Sequence, residues 1–207
     1  LADLVRGSTD GDETESFTGG SRTLLFLPSE AKRGRVAAMA LADTLYALLV
    51  VTPIVSSPPS MPETRDQQMA RLWSIAEDAV AVAGEDHPAD ALLILAVAQH
   101  ESGFALDVDR GPCRAGTCDG GLAACMLQIQ SQSSKVRAHL FADRRYCFSV
   151  GLQALKHSRI AECPQDELQF AAYAGGSCAR GARGSRDLYN FWQAWLGHYA
   201  AETATKR

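Results

Sequence analysis

Apolar residues recur along this chain at the spacing of helices, not of strands. Between Arg65 and Ala83 they fall at 69, 72, 73, 75, 76, 79, 80 and 82, a stripe on one helical face. Gly84 predicts the end of that helix. Asp86 and Pro88 open a second one, which runs through the unbroken apolar segment 91–98 to Glu101. Arg137–Phe141, Phe148–Ile160 and Gln165–Tyr173 also read as helices, the last closed by Gly175 and Gly176. Ser185–Tyr199 puts Leu188, Phe191, Trp192, Trp195 and Leu196 on one side, the pattern of a terminal packing helix. Residues 105–120 hold three glycines, one proline and two cysteines and read as a long loop, a kind of segment that is usually functional when ordered. Leu122–Ile129 reads as a short helix or turn. With no strand-period alternation and no internal repeat, the expected class is mainly α: a helical domain with a cleft.

The first third of the chain is patterned differently. Residues 1–22 are polar and rich in Gly, Ser, Thr and acids, the composition of a disordered tail. Lys32, Arg33 and Arg35 then precede an apolar run from Val36 to Val55, the outline of a signal peptide or membrane anchor. Asp43 near its middle argues against a span, because a buried aspartate costs about 2.5–3.5 kcal/mol on insertion scales; Pro53 interrupts the run as well. Ala37, Leu41, Thr44, Leu45 and Leu48 suit one face of an amphipathic helix, so a soluble packing helix is expected and a membrane partner is not. Three prolines make 56–64 a loop. The expected organisation is a polar tail over 1–35, a helix with a Pro-rich loop over 36–64, and one domain over 65–200. The chain begins with Leu, which fits a processed product, and Met39 is an alternative start.

Composition narrows the function classes. The chain has 207 residues, 46% of them hydrophobic, enough for one well-buried domain. A net charge of −4 gives no basic footprint for nucleic acid, so any anionic polymer would have to meet a local groove. Six cysteines stand at 113, 118, 125, 147, 163 and 178. No Cys-x-x-Cys spacing is present and His157 is poorly placed to complete a tetrahedral site, so neither a metal nor a cofactor is expected. An even number in one region suggests disulfides and an oxidising compartment, extracellular or periplasmic; six buried thiols in a cytosolic protein are the alternative. Six cysteines allow 15 pairings. The expected set is Cys113 with Cys118, Cys125 with Cys147, and Cys163 with Cys178.

The candidate chemistry starts at Glu101. It ends a strongly apolar helix and is followed by Ser102 and by Gly103, a helix stop. The apolar wall and the negative end of the helix dipole both disfavour a charged carboxyl there, which is what a general acid working near neutral pH needs. The alternative is an ordinary solvated acid. Ser102 either bonds the carboxyl or a ligand, or simply caps the helix. Gln128 is one amide inside the apolar run Gly121–Ile129 and needs a partner. A helix-end tyrosine such as Tyr173 is by itself usually packing.

Four blocks, in order, resemble the lysozyme-like lytic transglycosylases and goose-type lysozymes: Glu101-Ser102, the Gly121–Ile129 run, Gly151-Leu152-Gln153-Ala154-Leu155, and Phe170–Gly176. The family carries a catalytic Glu-Ser, a Gly-Leu-Met-Gln-Ile run, a Gly-x-x-x-Leu helix and an Ala-Tyr-Asn-Ala-Gly run. The resemblance spans roughly 65–195. This chain has Met126-Leu127-Gln128 where the family has Leu-Met-Gln, and Tyr173-Ala174-Gly175 where it has Tyr-Asn-Ala-Gly. The resemblance implies a disulfide-stapled lysozyme-like fold that cuts the β-1,4 bond between N-acetylmuramic acid and N-acetylglucosamine in peptidoglycan glycan strands. Glu101 would be the general acid, with Gln128 beside it and Tyr173 orienting it or touching a sugar. Asp119 stands nine residues before Gln128, where goose-type lysozymes have an aspartate that helps position water. With room for water between the carboxyls the reaction is inverting hydrolysis; otherwise Glu101 also serves as base and the sugar's 6-hydroxyl closes an anhydro ring. Asp107 and Asp109 compete with Asp119 for the second carboxylate. The alternatives to an enzyme are a module that binds wall without cutting it, suggested by the missing asparagine, and a structural part of a phage tail or a wall-spanning assembly.

Overall fold

The computed structural model describes residues 30–54, 61–111, 122–131, 133–160, 163 and 165–205. Its centre is a helix, α3 (Pro88–Ser102), whose residues Ala91–Ala98 are all buried. A helix apolar on every side must be surrounded, and α2 (Arg65–Ala83), α6 (Arg144–Ile160) and α8 (Cys178–Thr205) pack around it. α2 starts at a reciprocal capping box: Thr64 Oγ1 accepts from Gln67 N at 3.2 Å, and Gln67 Oε1 accepts from Thr64 N at 2.9 Å. α3 starts with Pro88 in its first turn and stops at Gly103, which is left-handed at φ 55°.

The helix α1 (Glu30–Val51) lies against α2 and α8. Leu41, Ala42, Thr44, Leu45, Leu48 and Leu49 are buried, while Ala37 and Asp43 face solvent. The expected amphipathic face is therefore present, less Ala37. It joins the same core as α2, α3 and α8, and it begins at Glu30, inside the stretch expected to be tail. Among the described residues no helix is long and apolar enough to cross a membrane.

Several elements differ from the sequence expectation, beginning with α5 (Ser134–Ala142) and α6, which start three and four residues before the expected Arg137 and Phe148. Leu106–Arg110 is a short helix, α4, within the expected long loop. Leu122–Ile129 is neither helix nor simple turn. Strands β1 (Ala123–Ala124) and β2 (Ile129–Gln130) pair antiparallel, Ala123 opposite Gln130 and Ala124 opposite Ile129. Cys125 and Gln128 in the turn have φ of 60° and 50°, which a right-handed helix cannot contain. Two-residue strands are also too short to show alternation.

The expected helix Gln165–Tyr173 is broken into a 3-10 turn (Asp166–Leu168) and α7 (Ala171–Gly175). At the break Ser185 supplies both missing partners: Phe170 N donates to its Oγ at 2.9 Å, and that hydroxyl donates to Glu167 O at 2.8 Å. α8 in turn starts seven residues before the expected Ser185, since its first turns carry Gly181 and Gly184, which weaken the sequence signal for a helix. Those glycines serve packing, since a Cβ on Gly181 would sit 1.9 Å from Ala171 O of α7.

Two disulfides staple this frame. Cys125–Cys147 ties the β hairpin to α6, and Cys163–Cys178 ties the segment after α6 to the start of α8. Both are expected pairs; Cys113 and Cys118 lie outside the described residues. The described residues are thus mainly helical, with two short strands and two disulfides among them.

Candidate functional site at the end of α3

Glu101 occupies the last turn of α3 with its side chain 25% exposed, neither solvated nor sealed. The chain then turns sharply, with Gly103 and Phe104 both at φ 55°. A left-handed phenylalanine is unusual and needs support. Its ring is fully buried, and its carbonyl accepts from Arg71 Nη1 at 2.9 Å. Arg71 is itself buried and held by Glu63 through Nε and Nη2 at 2.8 and 2.9 Å. A charged fork thus fixes the turn just after the candidate acid. Ser102 belongs to the same turn. Its hydroxyl donates to Ala98 O at 2.6 Å and accepts from Phe104 N at 3.3 Å, so both bonds close the helix end.

Glu101 has a neighbour that the sequence analysis did not single out. His100 Nδ1 lies 3.4 Å from Glu101 Oε1, with its ring edge-on to Phe191 of α8 at 5.4 Å. The hydrogen bond to Glu101 raises the His100 pKa above the ordinary 6.5. Burial opposes the rise, and the charges of Glu101 and Asp187 add to it. The apolar wall expected from the sequence is therefore joined, at the carboxyl itself, by an imidazole 3.4 Å away.

Tyr173 approaches from α7. It is half-buried, with its hydroxyl at the enclosed end, and that hydroxyl donates to Leu127 O in the β hairpin. Burial pushes its pKa well above the ordinary 10.0, and the charge of Glu101 pushes it further. Tyr173 thus sits within electrostatic reach of the carboxyl and serves as a neutral donor. Its backbone is fixed by Tyr173 N donating to Ser158 Oγ of α6 at 3.1 Å. Gln128 is in the hairpin turn, where its Nε2 donates to Cys125 O at 3.3 Å. The hairpin rests on α6 at Gly151, where a Cβ would fall 2.2 Å from Leu127 Cδ1. The Gly151–Leu155 block therefore has a packing reason: only a glycine lets Leu127 this close.

The second carboxylate is not placed, because Asp119 lies outside the described residues. Its two rivals are. Asp107 and Asp109 are on α4, not on a loop, and both are buried. Asp109 takes two bonds from Arg144, Nε at 2.8 Å and Nη2 at 2.9 Å. The same guanidinium reaches Asp78 at 2.7 Å and Ser74 Oγ at 2.9 Å on α2. Burial pulls the Arg144 pKa down, but hydrogen bonds and charge from Asp109 and Asp78 outweigh it and hold the group charged. This ion pair pins α4 to α2 and α6 and occupies both carboxylate oxygens of Asp109.

No family model, curated protein or solved structure matches the chain. Two surface cavities among the described residues lie away from Glu101, which lines neither. One of about 250 Å³ lies between α1, α3 and α8, with Gln99, Phe191 and Trp195 in its wall; the other, about 390 Å³, lies between α1 and α2. Among the described residues no cluster of His, Cys, Asp and Glu is arranged to hold a metal ion.

The structure thus brings Glu101 and Tyr173 together and links Tyr173 to the hairpin of Gln128. It assigns Ser102 a capping bond. His100 and Arg71 were overlooked for different reasons. A histidine beside a glutamate in sequence gives no pairing signal, because adjacent helical residues point about 100° apart. Arg71 stands between Ala70 and Leu72, where no sequence pattern marks a buried charge.

Proposed function

We propose that the protein cleaves the β-1,4 bond between N-acetylmuramic acid and N-acetylglucosamine in peptidoglycan, with Glu101 as acid and then base. One observation carries this reading: a three-quarters-buried carboxyl at a fixed helix end, with the His100 imidazole 3.4 Å away and the Tyr173 hydroxyl within electrostatic reach. The four-block resemblance to lytic transglycosylases and goose-type lysozymes supplies the substrate class. Glu101, protonated, gives its hydrogen to the glycosidic oxygen as the C–O bond breaks. The carboxylate left behind faces the oxocarbenium-like centre and takes a proton from the incoming hydroxyl, either water or the sugar's own 6-hydroxyl. Tyr173 lies within electrostatic reach of that carboxyl, its hydroxyl bonded to Leu127 O of the hairpin. The disulfides fit an extracellular or periplasmic site of action, where peptidoglycan is the partner, free in the wall or met by a phage virion or envelope assembly.

A binding module that holds glycan without cutting it is favoured by one feature: Ala174, exposed, stands where the family has an asparagine. Incubation of the purified protein with isolated peptidoglycan separates the readings. Soluble muropeptides in the mass spectrum support the enzyme, and products lighter by the mass of one water identify anhydro-ring formation. Tight retention on intact wall with no soluble product overturns it in favour of the binding module.

A further inference from the structure

We propose that His100 and Glu101 hold one proton in common, with His100 as the reservoir that keeps Glu101 able to protonate a leaving group when a lone carboxyl would already have lost its hydrogen. This deepens the function proposed above and rests on it for its catalytic meaning. The geometric basis is the 3.4 Å approach of Nδ1 to Oε1, in a place where both side chains are three-quarters buried. The imidazole is not free to swing away. Phe191 lies edge-on to it from α8. Asp187, one helical turn earlier on α8, acts on it by charge. The charged groups acting on His100 are thus Glu101 from its own helix and Asp187 from α8, while Tyr173 from α7 feels the charge of Glu101.

The chemistry balances with one mobile proton. In the resting pair the imidazolium faces a carboxylate. Transfer from Nδ1 to Oε1 gives a neutral imidazole and a carboxylic acid, with no change in total charge. The acid then donates that hydrogen to the glycosidic oxygen as the bond breaks, leaving a carboxylate and a neutral imidazole. In the second step the attacking hydroxyl loses its proton to Oε1, from which it returns to Nδ1. Two coupled groups lose their protons in two macroscopic steps, and the pair keeps one proton until the upper step. The alkaline limit of activity therefore belongs to the pair and lies above that of an isolated glutamate. His100 acts through Glu101, so it is a positioning residue and touches no substrate.

Two readouts test this on the full chain. The first is the NMR titration of the His100 ring in the wild type, in Glu101→Gln and in Asp187→Asn. The expected result is a midpoint above 6.5 in the wild type. It should move down clearly in E101Q and by less in D187N. A midpoint unchanged in E101Q overturns the shared proton. The second is the pH profile of wall lysis by the wild type and by His100→Asn, each checked for native circular dichroism. The H100N profile should lose its alkaline part, with its limb moved toward acid. An unmoved alkaline limb overturns the reservoir role. Should the wild type release no muropeptides at any pH, the proposed function fails, and the titration in E101Q, an isosteric variant, still decides the dyad. Should H100N fail to fold, the same titration decides it.

Discussion

The contact between α7 and α8 makes a prediction whose sign can be worked out from two glycines on one helix. Gly181 and Gly197 both lie within α8, so Gly→Ala gains helix propensity at each, about 1 kcal/mol. Their surroundings differ. At Gly197 nothing lies within 4 Å of the added methyl. At Gly181 the methyl would stand 1.9 Å from Ala171 O, 2.6 Å from Ala171 C and 2.8 Å from Ala171 Cα, all backbone atoms of α7. A carbon–oxygen contact relaxes at about 3.3 Å, so α7 and α8 would have to part by about 1.4 Å along that line. The backbone cannot rotate out of the way as a side chain can, and overpacking of this kind costs about 1–3 kcal/mol or more. Opening the seam would also loosen Gly175, whose own Cβ position is 2.7 Å from Gly181 N, and the break held by Ser185. The expected net effect of G181A is a loss of about 2 kcal/mol, against a gain of up to about 1 kcal/mol for G197A. Urea unfolding followed by far-UV circular dichroism reads both. In a chain of this size the difference corresponds to a Tm gap of about 6–12 °C. Equal stability of the two variants, or a G181A protein more stable than wild type, would refute the close backbone packing of α7 on α8.

Three further outcomes follow from the buried polar groups and the bridges. Arg144→Met leaves Asp109 buried with no counter-charge and should cost about 3 kcal/mol, the low end for a broken buried pair because Arg145 still holds Asp78 at 2.7 Å; a loss below about 1 kcal/mol in chemical denaturation would mean the pair is solvated. Replacing both Cys125 and Cys147 by alanine opens a link across 22 residues and should lower stability by about 3 kcal/mol, with an unchanged denaturant midpoint counting against the bridge. The raised His100 pKa gives a pH dependence of stability. Its contribution is fully present below the unfolded value near 6.5 and is lost as pH rises through the higher folded value, so the melting-temperature gap between wild type and H100N should shrink over that interval. A gap that widens with pH has the wrong sign for this pair.

The parts of the fold written in long periodic segments were legible. The stripe from Arg65 to Ala83 and the apolar run 91–98 gave α2 and α3 their limits, since Thr64, Gly84, Pro88 and Gly103 are strong local stops and starts. What failed was short or held by distant partners. The break at Phe170 depends on Ser185, fifteen residues away, which no local pattern carries. The hairpin at 123–130 depends on two positive-φ residues, Cys125 and Gln128, neither of them glycine. At the candidate site, Glu101 was legible because an acid at the end of an apolar helix is conspicuous. Its setting was not: the imidazole at its side, the fork of Arg71 and Glu63 beneath the turn, and the use of Asp109 by Arg144 are all contacts made by the tertiary fold.

The most direct measurement of the central claim is the rate of muropeptide release from purified peptidoglycan by Glu101→Gln beside the wild type. The substitution keeps the shape of the side chain and removes its proton chemistry. A fall of at least about 10²-fold is expected, with native far-UV circular dichroism in the variant. Release at the wild-type rate by the folded variant would contradict it.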